Sequence, residues 1–405
     1  MSARISISNF TLFGSISGSA VSNVASTGVI TIPLMRQGGY VAPVAAAIEA
    51  VASTGGQIMP PIMGAGAFVM AEFTKTPYAD IVWMSLVPAA LYFLSVLLYV
   101  HIMAVKAGFT GMTDTTPAKA VLRDGVHFLL PLVLITWLLL RNYSPVLVGV
   151  SGCAAVVAAS LMRRHTRISW LDIGRAFHQG ATMAIPISAA CAVAGIVVGT
   201  IGQTGVGLQF TESVIALSSG QLWLALILVA IAALVLGMGL PATAAYIVLS
   251  VMTGPALQEL GLALITAHMI IFWLSQTSNV TPPIALAAFA GAGVAGAPPM
   301  RTAVEAFKLA NGLFVIPLMM AYAPLLLGGD NGWYEVFFAG VVALAMVVAI
   351  AMLTERFLFT ALDTLSWILG LAAIVCLLVP DGFFRGAGVF VVASLVLVNW
   401  WRSRQ

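Results

Sequence analysis

Residues Ser53-Thr-Gly-Gly-Gln-Ile-Met-Pro-Pro-Ile62 and Gln276-Thr-Ser-Asn-Val-Thr-Pro-Pro-Ile284 are two polar interruptions of otherwise apolar stretches, and both end in Pro-Pro-Ile. Each follows a cluster of small residues: Gly14-Ser-Ile-Ser-Gly-Ser-Ala20 before the first, and Gly237-Met-Gly-Leu-Pro-Ala242 before the second. Superposing Pro60 on Pro282 sets an offset of 222 residues (282 − 60), and that offset also carries Ala20 onto Ala242 and Ser17 onto Gly239. Two landmarks agreeing on one offset define an internal repeat. Broken apolar segments at matching positions of two halves point to the binding site of a secondary transporter.

The class follows from composition. Of 405 residues, 61% are hydrophobic and 8% charged, and the mean hydropathy is +1.06. Soluble globular chains carry about a quarter charged residues. Apolar runs near membrane-spanning length recur throughout, so the chain reads as an all-α polytopic membrane protein, multi-pass in the lipid bilayer. Cys153, Cys191 and Cys376 lie far apart in apolar runs, with neither disulfide nor metal-ligand spacing. The net charge of +3 comes from short loops, which excludes nucleic acid as a partner. No intramembrane Asp pair, His-Glu-x-x-His or Ser/His constellation is present, so an enzyme is not expected.

In chain order, residues 1–13 and 21–35 read as arms of a re-entrant hairpin with its tip at Gly14–Ala20. Residues 44–72 read as one span broken at 53–59. Residues 79–104, 126–140, 145–162 and 181–203 read as full spans. Residues 222–236 and 243–258 form the second hairpin, with its tip at Gly237–Ala242, and 264–295 the second broken span. Four further spans are expected at 303–327, 333–353, 358–379 and 386–401. The Arg-rich loop 163–178 belongs in the cytoplasm under the positive-inside rule. If each hairpin returns to its own side, most other Lys and Arg residues join it there. The two repeats then enter the membrane from opposite faces, so the repeat is inverted. This divides the chain into 1–72 (first hairpin and broken helix), 73–180 (scaffold helices and loops), 181–330 (second repeat) and 331–405 (additional C-terminal helices). Before the first motif there is no scaffold like that preceding the second, so a truncated N-terminus is expected.

Small residues at a hairpin tip let a backbone approach a ligand closely. A broken helix exposes carbonyls where its first half ends, and these suit a dehydrated Na⁺. The second half offers free N–H groups and a positive dipole end, which suit a carboxylate. The expected second halves start at Pro60 and Pro282, with Thr281 as an N-cap. Glu49, Glu72, Glu305 and Lys308 fall in or near apolar spans, either as functional charges or as side chains snorkelling to the interface.

These stretches resemble a known family. Gly14–Gly28 with Ala50–Gly64, and Gly237–Ile247 with Ser278–Leu286, are similar to the large membrane subunit of the tripartite ATP-independent periplasmic (TRAP) transporters, in the fused form that works with TAXI-type binding proteins. The resemblance spans about residues 1–330. It implies an elevator-type fold like that of the ion transporter superfamily: two re-entrant hairpins and two broken helices move against a scaffold. It implies Na⁺ as coupling ion, an organic acid as substrate, and location in the bacterial inner membrane. The implied partners are a TAXI-type periplasmic binding protein and small membrane-subunit helices. By motif match, Gly14, Ser15, Ser17 and Gly18 with Thr54, Gly55 and Gly56 form one Na⁺ site. Gly237, Gly239 and Pro241 with Thr277, Ser278 and Asn279 form the other. Ser19, Asn23, Thr243 and Thr281 are the expected substrate contacts. The alternatives are a stand-alone divalent-anion:Na⁺ symporter and a non-transporting permease fragment.

Overall fold

Prolines and glycines divide this apolar chain into helices, and a computed structural model locates each division. It describes residues 18–109, 126–162, 166–328 and 332–404. The first arm of the first hairpin, its tip residues Gly14, Ser15 and Ser17, and the loop residues Lys119, Arg123, Arg163 and Arg164 lie outside the described residues. The described secondary structure is helical.

The first repeat contributes α1 (Ala20–Gln37), α2 (Ala42–Gly56) and α3 (Ala65–Thr74), followed by the long α4 (Tyr78–Lys106). Then come α5 (Leu129–Leu140), α6 (Pro145–Leu161), α7 (Trp170–Thr204) and α8 (Val206–Leu217). The second repeat is built from α9 (Leu222–Gly237), α10 (Ala242–Glu259), α11 (Leu264–Ser275) with a 3₁₀ turn Gln276–Asn279, and α12 (Leu286–Ala295). Helices α13 (Pro299–Leu309) and α14 (Gly312–Tyr322) follow, and α15 (Trp333–Glu355), α16 (Thr364–Leu378) and α17 (Gly382–Arg402) close the chain.

The repeat holds at the level of helix ends. Moving 222 residues along carries Ala20–Gln37 onto Ala242–Glu259, and the start of α2 at Ala42 onto the start of α11 at Leu264. The halves interlock. Helix α3 of the first repeat packs on α10 and α11 of the second, and α12 of the second packs on α1 and α2 of the first. Small residues permit this, as between helices in a membrane generally. A Cβ on Gly66 of α3 would lie 2.8 Å from the Phe272 ring, and one on Gly291 of α12 would lie 3.0 Å from the Ala46 carbonyl. Among the described residues, five stretches are long and apolar enough to cross a membrane: α4, α7, Pro299–Tyr322, α15 and α17.

Several boundaries differ from the expected ones, each for a local reason. Helix α7 starts at Trp170, well before the expected 181, because Ser169 and Asp172 form a capping box. It ends at Gly205, whose left-handed φ of +72° stops the helix and turns directly into α8, which the apolar pattern did not reveal. The expected span 303–327 is Pro299–Tyr322, with a discontinuity at Ala310–Asn311. The expected span 358–379 starts only at Thr364. Asn399 of α17 accepts the Phe359 and Thr360 N–H groups at 2.8 and 3.0 Å and so holds the preceding loop open.

Candidate functional site: the two breaks

The first break runs over 57–64 rather than the expected 53–59. Thr54, Gly55 and Gly56 remain in the last turn of α2. Gly55 stays helical because its missing side chain admits two rings: a Cβ there would stand 2.4 Å from Tyr92 and 2.8 Å from Phe93. The carbonyls of Thr54, Gly55 and Gly56 accept the N–H groups of Gln57, Ile58 and Met59.

The second halves do not start at Pro60 and Pro282. Helices α3 and α12 start at Ala65 and Leu286, and neither has a side-chain N-cap. Pro61 and Pro283 disfavour the α region for the proline before them, so neither Pro60 nor Pro282 can begin a helix. Both Pro-Pro bonds are cis. Thr281 is therefore not an N-cap; it is buried in the linker. The Tyr78 hydroxyl ties the first linker to α4 by donating to the Ile62 carbonyl.

One residue of each expected tip, Gly18 and Gly237, sits on the break of its own repeat. Gln57 Nε2 donates to the Gly18 carbonyl at 3.0 Å. A Cβ on Gly237 would lie 3.3 Å from Ser278 Cβ. The breaks also touch each other: Asn279 Nδ2 donates to Gln57 Oε1 at 3.1 Å, and these residues are 222 positions apart, the repeat offset itself. Equivalent side chains of two repeats meet in this way where a pseudo-two-fold axis passes between them. Gln57 was not singled out from the sequence, although its position relative to Asn279 was a readable signal.

The remaining expected site residues divide into two groups. Asn23 donates to Ser53 Oγ at 2.9 Å, and Ser19 caps α1 by accepting the Ser22 N–H. Thr277 and Ser278 bond back to the Leu274 and Ser275 carbonyls at 2.6 and 3.0 Å. Gly239, with φ +76°, lies in the second tip with open space around its Cα, and Pro241 and Thr243 follow at the start of α10. Three buried oxygens of this region have no hydrogen-bond partner among the described residues: Asn23 Oδ1, Gln276 Oε1 and Thr281 Oγ1. Among the described residues, no cluster of His, Cys, Asp and Glu could hold a metal ion. An apolar groove of about 600 Å³ lies beside Pro60 and Pro61, lined by Trp83 and Trp137 among others, and offers almost no polar surface to a hydrophilic solute.

The charged residues near apolar spans also separate. Glu72 pairs with Lys75 at exposed positions, and the partly buried Glu305 pairs with the exposed Lys308. Glu49 does not snorkel; it is fully buried in the middle of α2.

An all-helical membrane protein with two helix breaks at one repeat offset, joined by a side-chain hydrogen bond, has the build of a membrane transporter. The chain belongs to the DctM component family of the tripartite ATP-independent periplasmic transporters, whose family model matches residues 2–326. Helices α15 to α17 fall outside that match. No curated relative matches the chain. Family membership makes it a transporter component, and implies a periplasmic binding protein and a small membrane subunit as partners.

Proposed function

We propose that the chain is the permease of a Na⁺-coupled carrier that brings an organic acid across the bacterial inner membrane, with substrate delivered by a TAXI-type periplasmic binding protein. The observation that carries this reading is the Gln57–Asn279 bond, which brings both breaks to one place. The breaks and the helices beside them carry neutral oxygens, three of which have no partner among the described residues. Leaving a buried acceptor unmet costs about 1–3 kcal/mol, a deficit that an alkali cation or an ordered water would remove. An oxygen-only, uncharged donor set suits Na⁺ better than a transition metal. The starts of α3 and α12 present uncapped N–H groups and positive dipole ends, which favour a carboxylate. The interlocked repeats α1–α3 and α9–α12 would move as one body against the remaining helices, in an elevator-type cycle.

The test is uptake of a labelled panel of mono- and dicarboxylates into proteoliposomes holding this chain with its small subunit and binding protein. Accumulation should require Na⁺ and the binding protein together, and should rise with an inward Na⁺ gradient. Uptake indifferent to replacing Na⁺ by K⁺ would remove sodium coupling. Uptake without the binding protein would favour a stand-alone symporter.

A further inference from the structure

Glu49 is a fully buried carboxyl group, and the site described above does not use it. The Thr27 hydroxyl lies 2.7 Å from its Oε1 and the Thr31 hydroxyl 2.6 Å from its Oε2, both from α1. Ser53, one turn further along α2, also faces it. Gly28 makes room, since a Cβ there would come within 3.3 Å of Glu49 Cγ.

Among the described residues, no cation is paired with it. On α1, the Arg36 guanidinium turns away to the Ala295 carbonyl at 3.4 Å. Helix α12 and the 3₁₀ turn carry no titratable residue. On α13, Arg301, Glu305 and Lys308 are present, and Lys308 is paired with Glu305. On α4, Tyr92 donates to the Val51 carbonyl and Tyr99 bonds to Asn311, while Lys106 pairs with Glu355 near the far end. Tyr78, Asp80 and His101 complete the titratable residues of that helix. No ion pair among the described residues includes Glu49.

The proton count points the same way. The two threonine hydroxyls also lie 2.8 Å from the Asn23 carbonyl and 2.9 Å from the Thr27 carbonyl. The four oxygen–oxygen contacts of the threonines thus share two hydroxyl protons, since each hydroxyl donates once, and Ser53 adds one contact to Glu49 and one proton, which leaves the shortage unchanged. A proton on the carboxyl supplies a further donor and removes a buried charge, the more costly defect in a membrane interior. The oxygens meet at hydrogen-bond distance and leave no gap for a metal ion.

We infer that Glu49, with Thr27 and Thr31, is a proton-binding site of the interlocked repeats, occupied in the conformation described and carried with them when they move. The carrying role rests on the transport reading above; the protonation does not.

Infrared spectroscopy of the complex in nanodiscs, without Na⁺, tests the protonation. At neutral pH a protonated-acid C=O stretch should be present, and Glu49→Gln should abolish it. Thr27→Val with Thr31→Val should shift it upward by removing its hydrogen bonds. That shift assigns the band even where Glu49→Gln does not fold. A neutral-pH spectrum lacking any such Glu49 band overturns the site. The carrying role is tested in the same proteoliposomes with the carboxylate that the binding protein retains, at equal Na⁺ on both sides. A one-unit inward pH gradient should raise accumulation about tenfold per proton carried, and Glu49→Gln should remove the rise. No rise in the wild type ends the carrying role, even with the infrared band in place. Absence of all uptake, with the band present, counts against the transport reading instead.

Discussion

Thr27, Glu49 and Gly55 of the first repeat correspond, at the offset of 222, to Leu249, Ile271 and Thr277 of the second. The helices that carry them match in their starting points and nearly in length, yet the linings differ. The first repeat buries an acid among hydroxyls. At Val24 and Ala46 of the first repeat, the second has Tyr246 and His268, joined by a 2.7 Å hydrogen bond and packed against Phe272 and Phe73. The comparison teaches that backbone geometry is the shared property of the repeats, and that the polar interior is specific to each half.

Substitutions that copy one repeat into the other put this to the test. Ile271→Glu should have the largest effect. Ile271 is fully buried, and Leu249 stands where the first repeat has Thr27. An acid without partners there should cost about 3–5 kcal/mol, the range seen when a buried charge loses its partner. Folded yield by fluorescence-detected size exclusion would show it, and Leu249→Thr should restore part of the loss. A wild-type yield for Ile271→Glu would mean that the two linings are interchangeable.

Gly55→Thr copies Thr277 into the first repeat and drives a side chain into Tyr92 and Phe93. Overpacking of this kind costs about 1–3 kcal/mol and should lower the thermal midpoint of the purified complex. The reverse substitution Thr277→Gly removes a side chain instead of forcing one in, and should lower it less. Equal losses would show that the breaks are packed alike.

Gln57→Ala and Asn279→Ala each remove one side of the bond across the axis. Each should weaken apparent Na⁺ affinity for uptake by about tenfold, the effect of roughly 1.4 kcal/mol. Because the two share one interaction, the double variant should be no worse than either single one. Additive losses would show that the breaks act independently.

The smallest effect belongs outside the family match. Asp363 is held below the usual carboxylate range by the Ser366 hydroxyl and by Arg402. This pair is half-exposed, and such pairs contribute little. Arg402→Ala should lower the thermal midpoint only slightly at neutral pH. A lowered folded-state pKa contributes stability above the unfolded carboxylate range and loses it as pH falls through the folded value. The difference from wild type should therefore vanish in acid. A large loss at neutral pH would make the tail part of the core.

Much of this was legible in the sequence because Gly and Pro mark structure locally. The Pro-Pro-Ile pairs fixed the offset, and the matching helices α1 and α10 share it. The start of α7 was legible in principle from Ser169 and Asp172, but the apolar run drew the boundary inward. The reach of α2 was not legible. Gly55 weakens a helix in isolation, and the reason a glycine fits inside one here, the close approach of Tyr92 and Phe93, lies outside the local sequence. The isolation of Glu49 was hidden for the same reason: whether a buried acid has a cation depends on which helices surround it.

The crossed packing of α3 and α12 also sets a schedule for synthesis. Helix α3 is complete at Thr74, but the surface it rests on ends at Ser275 of α11, about two hundred residues later. At roughly 5–20 residues per second, the ribosome delivers that surface on the order of ten to forty seconds after α3 emerges. During that interval the first repeat stands in the membrane with Gly66 facing no Phe272, and with α1 and α2, which carry Thr27, Glu49 and Ser53, not yet packed against α12. Insertion machinery or lipid must shelter these polar groups until the second repeat arrives, which makes the nascent first half of this protein a natural client for a membrane chaperone.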